Sequence, residues 1–210
     1  AALRQLKAEG PQRLYLLWGP EDYLREQYLA QLKALCLPEG EDSFSYRRFD
    51  GPELPAEQLA GAVDALPFLT GRSFVELRDV DINKLKDGDR ILSILSDIPE
   101  YCTVVFVQAG QFEPDGRLKS VKSIRALARE LKFTRQSQSM LIDWIIRRFA
   151  AAGKGIELEA AQRLIFVSGE LMSGLIPEIE KIAAYAKGDK VHLSDVEAVA
   201  NHIPEAVIFD

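Results

Sequence analysis

Two uninterrupted apolar runs constrain this chain more than anything else in it. Residues 13–19 (Arg-Leu-Tyr-Leu-Leu-Trp-Gly) and 102–107 (Cys-Thr-Val-Val-Phe-Val) are each the length of one strand and lack a polar alternate face. A strand that is apolar on both sides has to be covered on both sides, and a parallel sheet with helices on each face provides that cover. Strand-like stretches at residues 45–50 and 74–80 alternate with helical patterns at residues 20–37, 55–66, 89–98 and 117–131. The alternation predicts an α/β fold built on a doubly wound parallel sheet flanked by helices. Residues 133 and 134 read as a short last strand, and residues 1–10 as a short polar helix across a sheet edge.

After Gln136 the pattern changes to helices alone, with Ser137-Gln138-Ser139 as a hinge. Leu141, Trp144, Ile145, Arg148 and Phe149 mark one helix, and residues 157–168 a second. Leu175, Ile179, Ile182, Ala183 and Ala186 mark a third, and Ser194 caps a fourth. The expected division is an α/β domain over residues 1–136 and a small all-α bundle over residues 137–203.

Composition narrows the function. With 47% hydrophobic and 28% charged residues the chain reads as globular and able to bury a core. No apolar run approaches the roughly twenty residues that span a bilayer. The N-terminus lacks the zones of a signal peptide, so the expected location is the cytoplasm, with no membrane partner. Cys36 and Cys102 are the only cysteines and read as small core residues. A formal charge of −6 argues against strong nucleic-acid binding by the chain alone.

The strand, glycine turn and helix at residues 13–37 stand where such a fold carries a phosphate loop. The turn reads Gly19-Pro20-Glu21-Asp22, without the extra glycines and the Lys-Ser/Thr pair that hold phosphate and magnesium. Glu21 and Asp22 suit a helix dipole and repel a triphosphate. The third strand ends in Arg78-Asp79-Val80-Asp81, lacking an adjacent acidic pair, and His192 and His202 lack zinc-site spacing. We therefore expect no catalytic residues, no cofactor and no metal.

Two features invite a partner. Leu66-Pro67-Phe68-Leu69-Thr70-Gly71-Arg72 puts three large apolar side chains on a helix-to-strand connection that is ordinarily polar. Leu59, Val63 and Leu66 recur at the spacing of one helical face packed on a sheet, and Pro67 ends the helix near Leu66. Phe68 and Leu69 either fold back under the loop and complete the core or point outward to a partner's pocket. On the helix read over residues 117–131, Lys119, Lys122, Arg125, Arg129 and Lys132 lie opposite the apolar side. They form either a solvated face or a contact for nucleic acid or an acidic partner.

Taken together, several motifs resemble a known family. They are Tyr15-Leu16-Leu17-Trp18-Gly19 with Glu21 and Leu24, Leu66-Pro67-Phe68-Leu69 with Arg72, and Arg117-Leu118 with Val121-Lys122. Trp144-Ile145 and residues 178–185 (Glu-Ile-Glu-Lys-Ile-Ala-Ala-Tyr) complete the set. In order and spacing they resemble the delta subunits of bacterial DNA polymerase III, the clamp-opening subunits of clamp loaders. The resemblance implies an AAA+-like sheet without a phosphate loop, followed by a helical lid. It implies that Leu66, Phe68 and Leu69 form an apolar wedge that binds the sliding clamp (the beta subunit) and opens or holds open the ring for loading onto primed DNA. It implies ATP hydrolysis by partner subunits, and a C-terminal collar domain, beginning at residues 204–210, that joins the other loader subunits. The rival readings are an AAA+ ATPase motor and a nucleic-acid-binding module.

Overall fold

The computed structural model describes residues 2–38, 45–67 and 71–200. Its first compact unit comprises Ala1–Pro20 and Leu24–Phe133, and its second Glu21–Tyr23 and Thr134–Asp210.

The first unit is built on five parallel strands: β1 (Leu14–Trp18), β2 (Tyr46–Asp50), β3 (Ser73–Arg78), β4 (Cys102–Val107) and β5 (Arg129–Lys132). Their order across the sheet is β2-β3-β4-β1-β5. The apolar runs are the middle of the sheet: every residue of β1 and of β4 is buried. Strand periodicity divides β1 between two layers. Leu14, Leu16 and Trp18 join a core with α3 (Ala56–Asp64), α4 (Gly88–Ser96) and α5 (Lys119–Leu127). Tyr15 and Leu17 join a second core with α1 (Ala2–Glu9) and α2 (Asp22–Cys36). Helices on both faces are what two-sided apolar strands require. Cys36 and Cys102 are both buried, and the Cys36 thiol lies 3.6 Å from the Thr103 hydroxyl.

The polar first helix is anchored chiefly by Leu6, fully buried beside Tyr15 and Leu17, with Leu3 packed against the same core, and Glu9 pairs with Arg129 of β5 at 2.7 Å.

The second unit contains α6 (Gln138–Ala151), α7 (Leu158–Ser168), α8 (Met172–Tyr185) and α9 (Leu193–Val199). Ser137 is the N-cap of α6 and accepts a hydrogen bond from the Met140 amide at 3.4 Å. Leu141, Ile145 and Phe149 are its buried stripe. The unit is not made of helices alone. Gly155–Ile156 (β6) and Lys190–Val191 (β7) pair in parallel, and the Lys154 ammonium donates to the carbonyls of Ala186 and Gly188 at 2.8 and 2.7 Å. Two-residue strands are too short for side-chain periodicity to announce them.

Candidate partner-binding site

Because all five strands run the same way, the sheet has two chemically different ends. The C-terminal end is where open α/β sheets bind ligands. Here β1 finishes at Gly19, with φ of +116°, and a Cβ on this residue would sit 2.4 Å from the Phe133 carbonyl oxygen. The glycine permits two backbones to touch, and its own carbonyl accepts a hydrogen bond from the buried Arg25 guanidinium at 2.8 Å. At the end of β3, Asp79 takes a left-handed conformation (φ 56°), and its carboxylate accepts from the Ala109 amide at 2.9 Å. That carboxylate is committed to joining two loops. Among the described residues no group of three or more His, Cys, Asp or Glu side chains is placed to hold a metal ion. His192 stands with Glu157 at 2.9 Å, and His202 lies outside the described residues.

In the second unit Glu21 is fully buried, and one of its oxygens accepts from the Met172 amide at 3.5 Å. Burial pushes its carboxyl above the usual glutamate range.

The opposite, N-terminal end of the sheet carries the helix-to-strand connection that the sequence singles out. Ala56, Leu59, Ala62 and Val63 are the buried face of α3. The helix ends at Asp64, two residues before Leu66, because Ala65 is extended (φ −62°, ψ 120°) ahead of Pro67. This early stop takes Leu66 off the face that Leu59 and Val63 occupy. Leu66 does not pack on the sheet as its helical spacing predicts; it is 76% exposed. Phe68 and Leu69 lie outside the described residues.

The five basic residues do not form one stripe. Helix α5 stops at Leu127, Ala128 is extended, and Arg129–Lys132 is a strand whose residues pair in register with Tyr15 to Trp18 of β1. Arg-Glu-Leu-Lys is a helix-favouring sequence, and pairing with β1 overrides that preference. Lys122 remains exposed on α5. Lys119 pairs with Asp89 at 3.1 Å, Arg125 donates to Glu130 at 3.0 Å, and Arg129 is held by Glu9. The Lys132 ammonium lies 4.3 Å from the centre of the Trp18 ring.

One buried charged group carries no motif in the sequence. Glu76 of β3 is fully buried, accepts from the Tyr46 hydroxyl at 2.9 Å, and pairs with Lys33 of α2 at 3.1 Å and with Arg78. Arg78 in turn makes a two-pronged pair with Glu26 of α2 at 2.9 and 2.6 Å. The signal is a lone glutamate between the apolar Phe74, Val75 and Leu77 of β3, which has to be paired to be buried.

Comparison with known proteins bears on the whole chain. The family model described as DNA polymerase III, delta subunit matches residues 15–134. The chain is 23% identical over 216 residues to the DNA polymerase III subunit delta of Bacillus subtilis (strain 168), an alignment covering 99% of this chain and 62% of that protein. It is 22% identical over 205 residues to the probable DNA polymerase III subunit delta of Aquifex aeolicus (strain VF5), covering 93% and 57%. It thus spans about three fifths of the length of these relatives. Among solved structures, a Bacillus subtilis DNA clamp loader delta protein superposes with a TM-score of 0.63 at 19% identity, over 96% of this chain and 62% of that one. The Thermotoga maritima RuvB Holliday junction branch migration motor shares the fold with a TM-score of 0.61 at 18% identity, covering 94% and 64%.

Proposed function

This chain belongs to the DNA polymerase III delta subunit family, and on that premise we propose that it grips the sliding clamp through an apolar wedge of Leu66, Phe68 and Leu69. The observation that carries the reading is Leu66 itself, a large apolar side chain 76% exposed at the end of the sheet opposite Gly19. Burying one such side chain in a partner's pocket recovers about 1.5–3 kcal/mol. A rigid apolar anchor entering a pocket is the usual form of an interface hot spot.

The mechanism is differential binding. A ring whose interface opens and closes spends more time open when a ligand binds the open form more tightly, by the ratio of the two affinities. The chain needs no covalent chemistry for this. Gly19 and Arg25 are committed to backbone contacts, and ATP turnover falls to partner subunits, reached through a collar domain beyond residue 203. Primed DNA is met by the assembled loader. The division into a clamp-binding domain over residues 1–136 and a lid over residues 137–203 belongs to the same proposal.

The test is titration of the chain against the sliding clamp beside a Leu66→Ser, Phe68→Ser double variant with a native circular dichroism spectrum. Binding by the parent and its loss in the folded variant support the proposal; equal binding by both refutes the wedge. ATP affinity in the isolated chain would favour the motor reading instead.

A further inference from the structure

Leu66 sits on an eight-residue connection, residues 65–72, and one residue outside it holds both ends. The Tyr101 hydroxyl donates to the carbonyl of Asp64, the last residue of α3, at 3.2 Å. The Tyr101 carbonyl accepts from the amide of Ser73, the first residue of β3, at 2.8 Å. Tyr101 directly precedes β4, whose Cys102 is in register with Ser73. Its ring is half-buried against the core under α3, α4 and α5.

Why α3 needs this is local. The last carbonyls of a helix have no donor from within it, and they are commonly satisfied where a glycine in the left-handed conformation closes the turn. Here the residue after Asp64 is an extended alanine, so that closure is absent. The Tyr101 hydroxyl supplies a donor in its place.

We infer that Tyr101 is the positioning residue of the proposed clamp contact: it clasps the two ends of the connection and thereby fixes the direction in which Leu66 leaves α3. The inference rests on the reading of Leu66 as a contact residue. Order imposed before binding is order that binding no longer has to supply, so the clasp acts on affinity as well as on fold.

The experiment compares the full chain with Tyr101→Phe, which keeps the ring in the core and removes only the donor. A core variant on the same face, Ile124→Val, is the control for general destabilisation. Tyr101→Phe is expected to weaken clamp binding about 3- to 10-fold, the worth of one hydrogen bond. It is also expected to quicken amide exchange in a peptide spanning residues 60–73 while leaving the other strands unchanged. Ile124→Val should do neither at a matched loss of stability. Unchanged exchange in residues 60–73 overturns the inference whatever the clamp does. Unchanged affinity, or a loss that Ile124→Val reproduces, overturns it as well. Failure of the parent to bind the clamp refutes the contact reading instead, and the exchange comparison still decides whether Tyr101 holds the connection.

Discussion

Replacing Glu76 by glutamine removes one charge from the network that ties α2 to β3 and leaves the shape unchanged. Breaking a buried ion pair costs about 3–5 kcal/mol when the stranded charge has no other partner. Here the strandings are incomplete. The Lys33 and Arg78 side chains are 20% and 23% exposed, and Arg78 retains its two bonds to Glu26. The glutamine carbonyl can still accept from Tyr46. We therefore expect a loss below that range, about 2–3 kcal/mol at pH 7. Burial alone would raise the Glu76 carboxyl, but bonds from Arg78, Tyr46 and Lys33 outweigh it, and the net direction is downward. A carboxyl lowered in the folded state contributes stability above its ordinary value near 4.5 and loses it as pH falls through the lowered value. The gap between parent and Glu76→Gln should thus be full at pH 7 and narrow below pH 4. Urea unfolding reports it through Trp18, which is buried in the first unit, in a Trp144→Phe background. A difference under about 0.5 kcal/mol at pH 7, or one that does not narrow on acidification, would refute the account of Glu76.

Gly19→Ala forces a left-handed backbone and drives a Cβ onto the Phe133 carbonyl, so it should cost more than about 3 kcal/mol. Gly61→Ala in α3, where a Cβ meets nothing within 4 Å, should instead stabilise by about 0.5–1 kcal/mol in the same urea assay. Glu21→Gln should stabilise the second unit by about 1 kcal/mol at pH 8 and leave it unchanged at pH 4, read through Trp144. The sign follows from burial: a raised carboxyl penalises the folded state once pH exceeds its unfolded value near 4.5, and the penalty is complete above the folded value.

What the sequence disclosed followed periodicity. β1 and β4 were legible because two-sided burial leaves an unbroken apolar run, and α3 because Leu59 and Val63 keep helical spacing. What it concealed turned on contacts between distant segments. β5 was hidden inside a helical pattern because Arg129–Lys132 is made a strand by its pairing with β1, which no local signal records. The basic stripe dissolved with it. Leu66 fits the helical face by spacing and leaves it because the chain turns extended at Ala65, one residue sooner than Pro67 alone demands. Gly19 reads from the sequence as a turn, but its reason for being glycine is the backbone of Phe133, more than a hundred residues away. Tyr101 has no sequence signal at all, since its role lies in two bonds to the ends of another connection.

On the proposed function, an apolar contact by this chain, without nucleotide, shifts a ring toward its open form. Release of a sliding clamp from closed circular DNA measures that shift, because a closed ring on a closed circle leaves only by opening. The chain alone, with no ATP present, should speed release, and the Leu66→Ser, Phe68→Ser variant should not. Release at the spontaneous rate when parent chain is bound to the clamp, or acceleration that appears only when ATP is added to the chain alone, would contradict the account.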